Sequence, residues 1–238
     1  MKKEVKKDNR DLELISFVSH EMRTPLASIR SMLQLNLEEK IGKINDKQKK
    51  SLSLAYENAK RLELIIKNML EGSRTDESKI KYEFSDFDLP SSLSNIIKTA
   101  EVLMKEKKIS AEIKNTKSLI INADKGRLEQ VFLNLITNAV KYGNKNGHIM
   151  LSVKKKNSNA LISFKDDGIG IPKEKIPNLF TKMFQVSPGS TKSMGGIGLG
   201  LFISKKIVEK HNGKIWVESE IGKGSTFYIS IPLKQKNP

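Results

Sequence analysis

Leu52, Ala55, Ala59, Leu62, Ile66 and Met69 are separated by alternating steps of three and four residues. That spacing is the apolar seam of a coiled-coil helix, and it constrains this chain more than any other feature: such a helix needs other helices to cover its stripe. A second stripe precedes it. Ile15, Val18, Met22 and Ile29 fall on the inner positions of a seven-residue repeat between Asp11 and Leu37, and Met32 and Leu33 continue it. The intervening IGKIND predicts a break, with Gly42 stopping the first helix and Asn45 or Asp46 capping the second. Two amphipathic helices and a short loop make a helical hairpin. One hairpin with narrow seams buries little, so pairing with a second copy into a four-helix bundle, a homodimer, is the expected solution.

After the polar, Gly72-containing linker EGSRTDESKIKYEF the pattern changes to mixed helix and strand. KYEFSDFDL, ISAEI, SLIINAD, HIMLSVKKK and ALISFKD read as strands. LPSSLSNIIKTAEVLMKEKK, KGRLEQVFLNLITNAVKYG and GLGLFISKKIVEKHN read as helices, with Gly143 and Gly213 as stops. KIWVESE and STFYISIPL close the chain as a hairpin around IGKG. Helices and strands mixed in this order predict an open α/β sandwich rather than an alternating parallel sheet.

The chain has 43 Lys and Arg against 27 Asp and Glu among its 238 residues, a net charge of +16, which favours anionic partners. The basic residues are mostly Lys, spread over helices, linker and termini. No nucleic-acid module accompanies them, so no nucleic-acid partner is expected. With no cysteine, disulfide, zinc-thiolate and cysteine-nucleophile chemistry are excluded. No apolar run approaches the ~20 residues of a membrane span, and the basic start lacks the apolar core of a signal peptide. The expected location is the cytoplasm.

Four short segments carry candidate chemistry. Ser19-His20-Glu21-Met22-Arg23-Thr24-Pro25 lies on the first helix, and with Ile15 and Met22 inward, His20 faces out. Glu21 can hold a proton on one ring nitrogen and leave the other free to attack. Thr24, one turn on, shares the His20 face and can position a water. Pro25 removes one helical hydrogen bond and bends the helix. In the second segment, Asn134 and Asn138 stack on one helical face, where their amide oxygens are hard ligands suited to Mg2+. Lys141 can meet a phosphate, and Tyr142 can flank a base. In the third, Asp166-Asp167-Gly168-Ile169-Gly170 ends a strand; a buried carboxylate there can accept from an adenine amino group, and Gly168 and Gly170 permit a tight turn. In the fourth, Gly195 to Leu201 opens a helix with free N–H groups suited to an anion, though it is neither a dinucleotide fingerprint nor a P-loop. Between the last two, Phe180 and Phe184 are spaced to pack one helical turn on the core, and Gln185 to Met194 reads as a lid.

In order, FVSHEMRTPLASI, NLITNAVKY, DDGIGI, LFTKMF and GGIGLGL resemble the H, N, G1, F and G2 boxes of bacterial-type sensor histidine kinases, over about Leu12 to Leu233. The resemblance implies a multidomain α and α+β chain. A four-helix-bundle dimerisation and histidine-phosphotransfer domain would occupy 9–75. A catalytic ATP-binding α/β sandwich, of the type shared with Hsp90, gyrase and MutL-like ATPases, would occupy 80–234. It implies that His20 takes the γ-phosphoryl of ATP, that Glu21 is the general base, and that Thr24 serves dephosphorylation of the partner. Asn134 and Asn138 match Mg2+ and phosphate positions, Lys141 a phosphate contact, Tyr142 a base-flanking position and Asp166 the adenine-reading carboxylate. Gly196, Gly198 and Gly200, with Leu201 beside them, match the phosphate and lid-hinge positions, and Thr226 a position near adenine. The implied partner is the receiver domain of a response regulator, whose aspartate accepts the phosphoryl group. Ile197 stands where the family often has Thr and Gln185 where it commonly has Arg, so phosphate contact from the lid falls to Lys182 or Lys192 or is weaker. Lys2, Lys3, Lys6 and Lys7 are compatible with membrane proximity in an intact longer sensor.

Overall fold

The computed structural model describes residues 21–73, 81–114, 117–186 and 198–234. The chain separates into two compact units, Met1–Lys79 and Ile80–Pro238.

The first unit is a helical hairpin. Helix α1 is described over 21–37 and α2 spans Asp46–Ser73. Helix α1 ends before Gly42. The Lys40 N–H bonds the Leu35 carbonyl at 3.0 Å and the Glu39 N–H bonds the Asn36 carbonyl at 3.0 Å. This is a Schellman stop with Glu39, rather than a glycine, at the left-handed position (φ 55°). Gly42, at φ 144°, only redirects the loop that follows. The start of α2 is a reciprocal capping box: Asn45 Oδ1 accepts from the Gln48 N–H at 2.8 Å, and Gln48 Oε1 from the Asn45 N–H at 2.9 Å. Helix α2 continues through Gly72, so the expected linker begins later than its composition predicts.

Within the hairpin Leu26, Ala59 and Ile66 are buried, with Leu33 packed against them, and Arg30 pairs with Glu63 at 3.1 Å. Within the single hairpin the stripe expected on α1 is only partly covered. Leu26 and Leu33 face α2, whereas Met22, Ile29 and Met32 are 47%, 53% and 59% exposed. Met22 and Ile29 precede the buried Leu26 and the partly buried Leu33 by four positions, which places them about 40° further round the helix. That stripe lies beyond the reach of a single antiparallel neighbour. On α2 Leu62 is exposed too, and Ala55 with it, while Leu52 is half-buried.

The second unit is a layered α/β structure. Its elements are β1 (Ser85–Asp88), α3 (Leu89–Lys107), β2 (Ser110–Lys114), β3 (Ile120–Ala123), α4 (Lys125–Tyr142), β4 (His148–Lys156), β5 (Asn159–Asp166), α5 (Gly200–Lys210), β6 (Lys214–Glu220) and β7 (Gly224–Pro232). A five-stranded sheet runs β2-β4-β5-β7-β6, and β1 and β3 form a separate antiparallel pair. Only β2 and β4 pair parallel in the larger sheet. Period-two burial aims Ile149, Leu151, Ile162, Phe164, Phe227 and Ile229 at one face, where they meet Leu128, Val131, Phe132, Leu135 and Ile136 of α4. Phe132 lies on Phe164 with ring centroids 5.8 Å apart. The opposite face is half-exposed, with Trp216 stacked on Tyr228 and Ser152 bonded to Ser163. The expected open sandwich is therefore the observed fold. The strand expected at KYEF is shorter, beginning at Ser85, and Phe180 and Phe184 do not lie on an α-helical turn. A short 3-10 helix, Lys173–Asn178, precedes them, and Met183 between them has φ 59°.

His211 fastens the start of this unit to its core. It is wholly buried at the end of α5. Its Nε2 accepts the Asp124 N–H at 3.0 Å and its Nδ1 donates to the Ile207 carbonyl at 2.7 Å, an arrangement met only by the neutral ring. Tyr82 and Phe84 meet it edge-on, and the Glu83 N–H bonds Asp124 Oδ2 at 3.0 Å. Burial holds the imidazole below its ordinary 6.5, so the fold favours the neutral ring. The stabilisation is complete above 6.5 and is lost as pH falls below that value towards the depressed folded pKa. Relative to His211→Gln, the parent protein is expected to lose melting temperature between pH 7.5 and 5.5. His211→Ala is expected to cost about 2–4 kcal/mol in denaturant unfolding at pH 7.5.

Candidate functional site

Asp166, Gly168 and Gly170 sit together at the end of β5 and in the turn that follows it. Asp166 closes that strand and is 6% exposed. Its Oδ1 accepts the Gly168 N–H at 2.9 Å and the Ser225 N–H at 3.2 Å. Its Oδ2 makes no hydrogen bond among the described residues and is not sealed from solvent. Desolvation raises the carboxyl above its ordinary value, with the neighbouring Asp167 charge adding to this, against the two backbone donors.

The turn after Asp166 is gripped from three sides. The Ile169 N–H bonds the Tyr142 carbonyl at the end of α4 at 3.2 Å. Asp167 Oδ2 accepts the His148 N–H at 2.8 Å, and its carbonyl accepts Asn144 Nδ2 at 2.6 Å. On the third side the β6–β7 turn packs backbone to backbone, with the Gly222 N–H on the Ile169 carbonyl at 2.8 Å. Glycine is a steric requirement here. A Cβ at Gly170 (φ 72°) would run into the Glu220 carbonyl, and one at Gly224 (φ 90°) into that of Asp166. A Cβ at Gly168 would meet the Tyr142 carbonyl at 2.5 Å.

Helix α4 lines the adjoining side. Asn134 Nδ2 donates to Ser204 Oγ on α5 at 2.9 Å, and its Oδ1 lies where a Cβ at Gly200 would be, so Gly200 lets the two helices approach. Asn138 is half-buried and its side chain makes no hydrogen bond among the described residues. Lys141 Nζ sits over the exposed Tyr142 ring, 4.6 Å from its centroid. Gly198 (φ 74°) abuts the backbone of Met183 and Phe184, and Leu201 is half-buried in the first turn of α5. Phe180 meets Phe227 edge-on at 6.5 Å.

Residues 123–235 match the family model of histidine kinase-, DNA gyrase B- and HSP90-like ATPases. Residues 11–78 match that of the His kinase A (phospho-acceptor) domain. The catalytic domain of the histidine kinase ThkA is 31% identical with a TM-score of 0.56, covering 64% of this chain and 99% of that one. The chain belongs to the histidine kinase family. Among relatives, the chain is 36% identical over 229 residues to the sensor protein kinase WalK of Staphylococcus haemolyticus, a match covering 93% of the chain and 36% of WalK. The chain thus spans about a third of that relative's length. It also resembles full-length ShkA solved with AMPPNP, at 25% identity and a TM-score of 0.75, covering 95% of this chain and 47% of that one. ThkA in complex with the response regulator TrrA aligns at 27% identity and a TM-score of 0.62, over 98% of this chain and 66% of that one.

The kinase fold brings Asn134, Asn138, Tyr142, Asp166, Gly168, Gly170 and Gly200 onto α4, the β5 turn and the start of α5. It does not bring Thr226 to Asp166. On β7, Ser225 pairs with Asp166 while Thr226 pairs with Lys165. Successive strand residues point to opposite faces, so Thr226 shares the half-exposed face with Tyr228. Ser225 supplies the contact instead. The signal was present in STFYISI, where Ser225 is in phase with the apolar Phe227, Ile229 and Ile231. Ser204, Asp167 and Asn144 were not singled out, because their roles arise from contacts distant in sequence. His20, Lys192, Gly196 and Ile197, with most of the expected lid, lie outside the described residues. Glu21 and Thr24 are exposed on α1.

Gly170→Ala and Gly224→Ala are each expected to destabilise the protein by about 2–4 kcal/mol in denaturant unfolding, since strain adds to collision. Gly222→Ala, with φ 78° but open space around it, is expected to cost about 1 kcal/mol.

Proposed function

We propose that the chain is the core of an ATP-dependent protein histidine kinase, which phosphorylates itself on His20 and passes the phosphoryl group to an aspartate of a response regulator. The observation that carries this reading is Asp166. A buried carboxylate with one oxygen committed to two backbone N–H groups and the other unengaged is suited to accept a hydrogen bond from the adenine 6-amino group. ShkA's complex with AMPPNP and ThkA's with TrrA support the same reading of nucleotide and partner.

In this reading Tyr142 flanks the base, and Lys141 with the Gly198–Gly200 start of α5 meets the phosphates. Asn138, and Asn134 through its amide oxygen, would hold Mg2+; these hard oxygen donors fit it. When bound, the ion would neutralise charge developing on the phosphates. A nitrogen of His20 attacks the γ-phosphorus, the bond to the β–γ bridging oxygen breaks, and ADP leaves. Glu21 holds the proton on the other ring nitrogen. Thr24 positions water for dephosphorylation of the regulator. Dimerisation of the hairpin would cover Met22, Ile29 and Leu62, which a single copy leaves exposed. The hairpin domain is assigned to 9–75 and the nucleotide domain to 80–234. No helix among the described residues is long and apolar enough to cross a membrane.

Incubation with γ-labelled ATP and Mg2+ is expected to give an acid-labile, base-stable phosphoprotein, and His20→Gln none; equal labelling of that variant would refute the assignment. Because a carboxyl with a raised pKa weakens the fold once ionised, Asp166→Asn is expected to melt at or above the parent temperature at pH 7.5. The same variant is expected to lose nucleotide binding by at least about a hundredfold in calorimetry, since an amide group can no longer offer the carboxylate to the base.

A further inference from the structure

Ser219, near the end of β6, belongs to none of the motifs described above. It is half-buried, and its hydroxyl is saturated. The Ile171 N–H donates to Oγ at 2.8 Å. Oγ lies 2.9 Å from the Gly224 carbonyl, to which it donates. Ser225 Oγ is also at 2.9 Å, and because the single Ser219 proton is on Gly224, Ser225 is the donor there. Ser225 in turn sends its N–H to Asp166 Oδ1. One small hydroxyl therefore ties the turn after Asp166 to the β6–β7 turn, and through Ser225 reaches the carboxylate.

We propose that Ser219 is a positioning residue for base recognition: it locks these two turns in register and so aims the free Oδ2 of Asp166 at the 6-amino group of a bound adenine. The inference rests on the nucleotide reading given above and extends it to a residue that does not touch the base. Two features separate aiming from mere cohesion. The turns are also held together by the Gly222–Ile169 backbone bond and by the close fit of Gly170 and Gly224, so Ser219 is not their sole tie. What Ser219 adds is constraint on Ile171, in the segment that follows Asp166, and on Ser225, whose N–H bonds the Asp166 carboxylate. Ser219→Ala leaves the Ile171 N–H and the Ser225 hydroxyl without this acceptor, and the carboxylate loses orientation while remaining in place.

The test is steady-state autophosphorylation of the full chain with ATP and with ITP, whose base carries a 6-oxo group in place of the amino group. Ser219→Ala is expected to raise KM for ATP about tenfold, to change KM for ITP less than about twofold, and to leave kcat at saturating ATP within about twofold. Ser225→Ala, which removes only one partner of the network, is expected to narrow the ATP preference in the same direction by about two- to threefold, and stands in should Ser219→Ala fail to fold. Unchanged KM for ATP in a folded variant, or equal rises with both nucleotides, would overturn the positioning role while leaving the kinase reading intact. Failure of the parent protein to bind either nucleotide would overturn both.

Discussion

The second unit depends on keeping one ionisable carboxyl out of water at the junction of two turns. Asp166 cannot be buried cheaply, and its surroundings show how the cost is met. Two backbone N–H groups converge on Oδ1, and two turns approach so closely that glycine is required at Gly170 and Gly224. Asp167 and Asn144 hold the outer side of the same turn. The turns cannot be loosened without exposing the carboxylate, nor Oδ1 removed without leaving the two donors unmatched. Such a preorganised acceptor gives selectivity for a partner that donates in return.

The first unit has the opposite character. Its hairpin is stitched by good local chemistry, a capping box at Asn45 and Gln48 and a Schellman stop at Glu39, and among the described residues its core is Leu26, Ala59 and Ile66. Local rules are satisfied and the apolar demand is not. The surplus at Met22, Ile29 and Leu62 is a stripe for further helices. The two units are thus stabilised differently, the second by a layered core and the first chiefly by local capping.

Much of this was legible in the chain itself. Strand and helix periods located most elements of the second unit, because apolar residues recur every second or every third to fourth residue wherever one face is buried. The heptad seam announced the hairpin. Where the structure differs, the reason is in one case local and otherwise a contact distant in sequence. The choice between Ser225 and Thr226 depends on the register of β7 against β5, and a one-residue step moves a side chain to the other face of the sheet. Asn134 reads as a ligand from its spacing alone; the fold adds that it bridges to Ser204 and fills the space that Gly200 leaves open. Gly42 was the wrong stop because Glu39 could adopt the left-handed conformation, a cost that a Schellman pair of hydrogen bonds offsets.

The sequence alone determined the two-part organisation, the helix and strand periods and the ordered set of boxes, because these rest on local spacing and residue chemistry. Tertiary structure decided which oxygen of Asp166 stays free, which residue of β7 stands beside it, and that Ser219 joins two turns separated by 48 positions. It decided also that His211, which carries no motif of its own, is buried and neutral against Asp124 and the aromatic pair Tyr82 and Phe84. The physical reason is common to all of these. Hydrogen-bond direction and burial are properties of what surrounds a group, and here the surroundings come from segments that only the folded chain brings together.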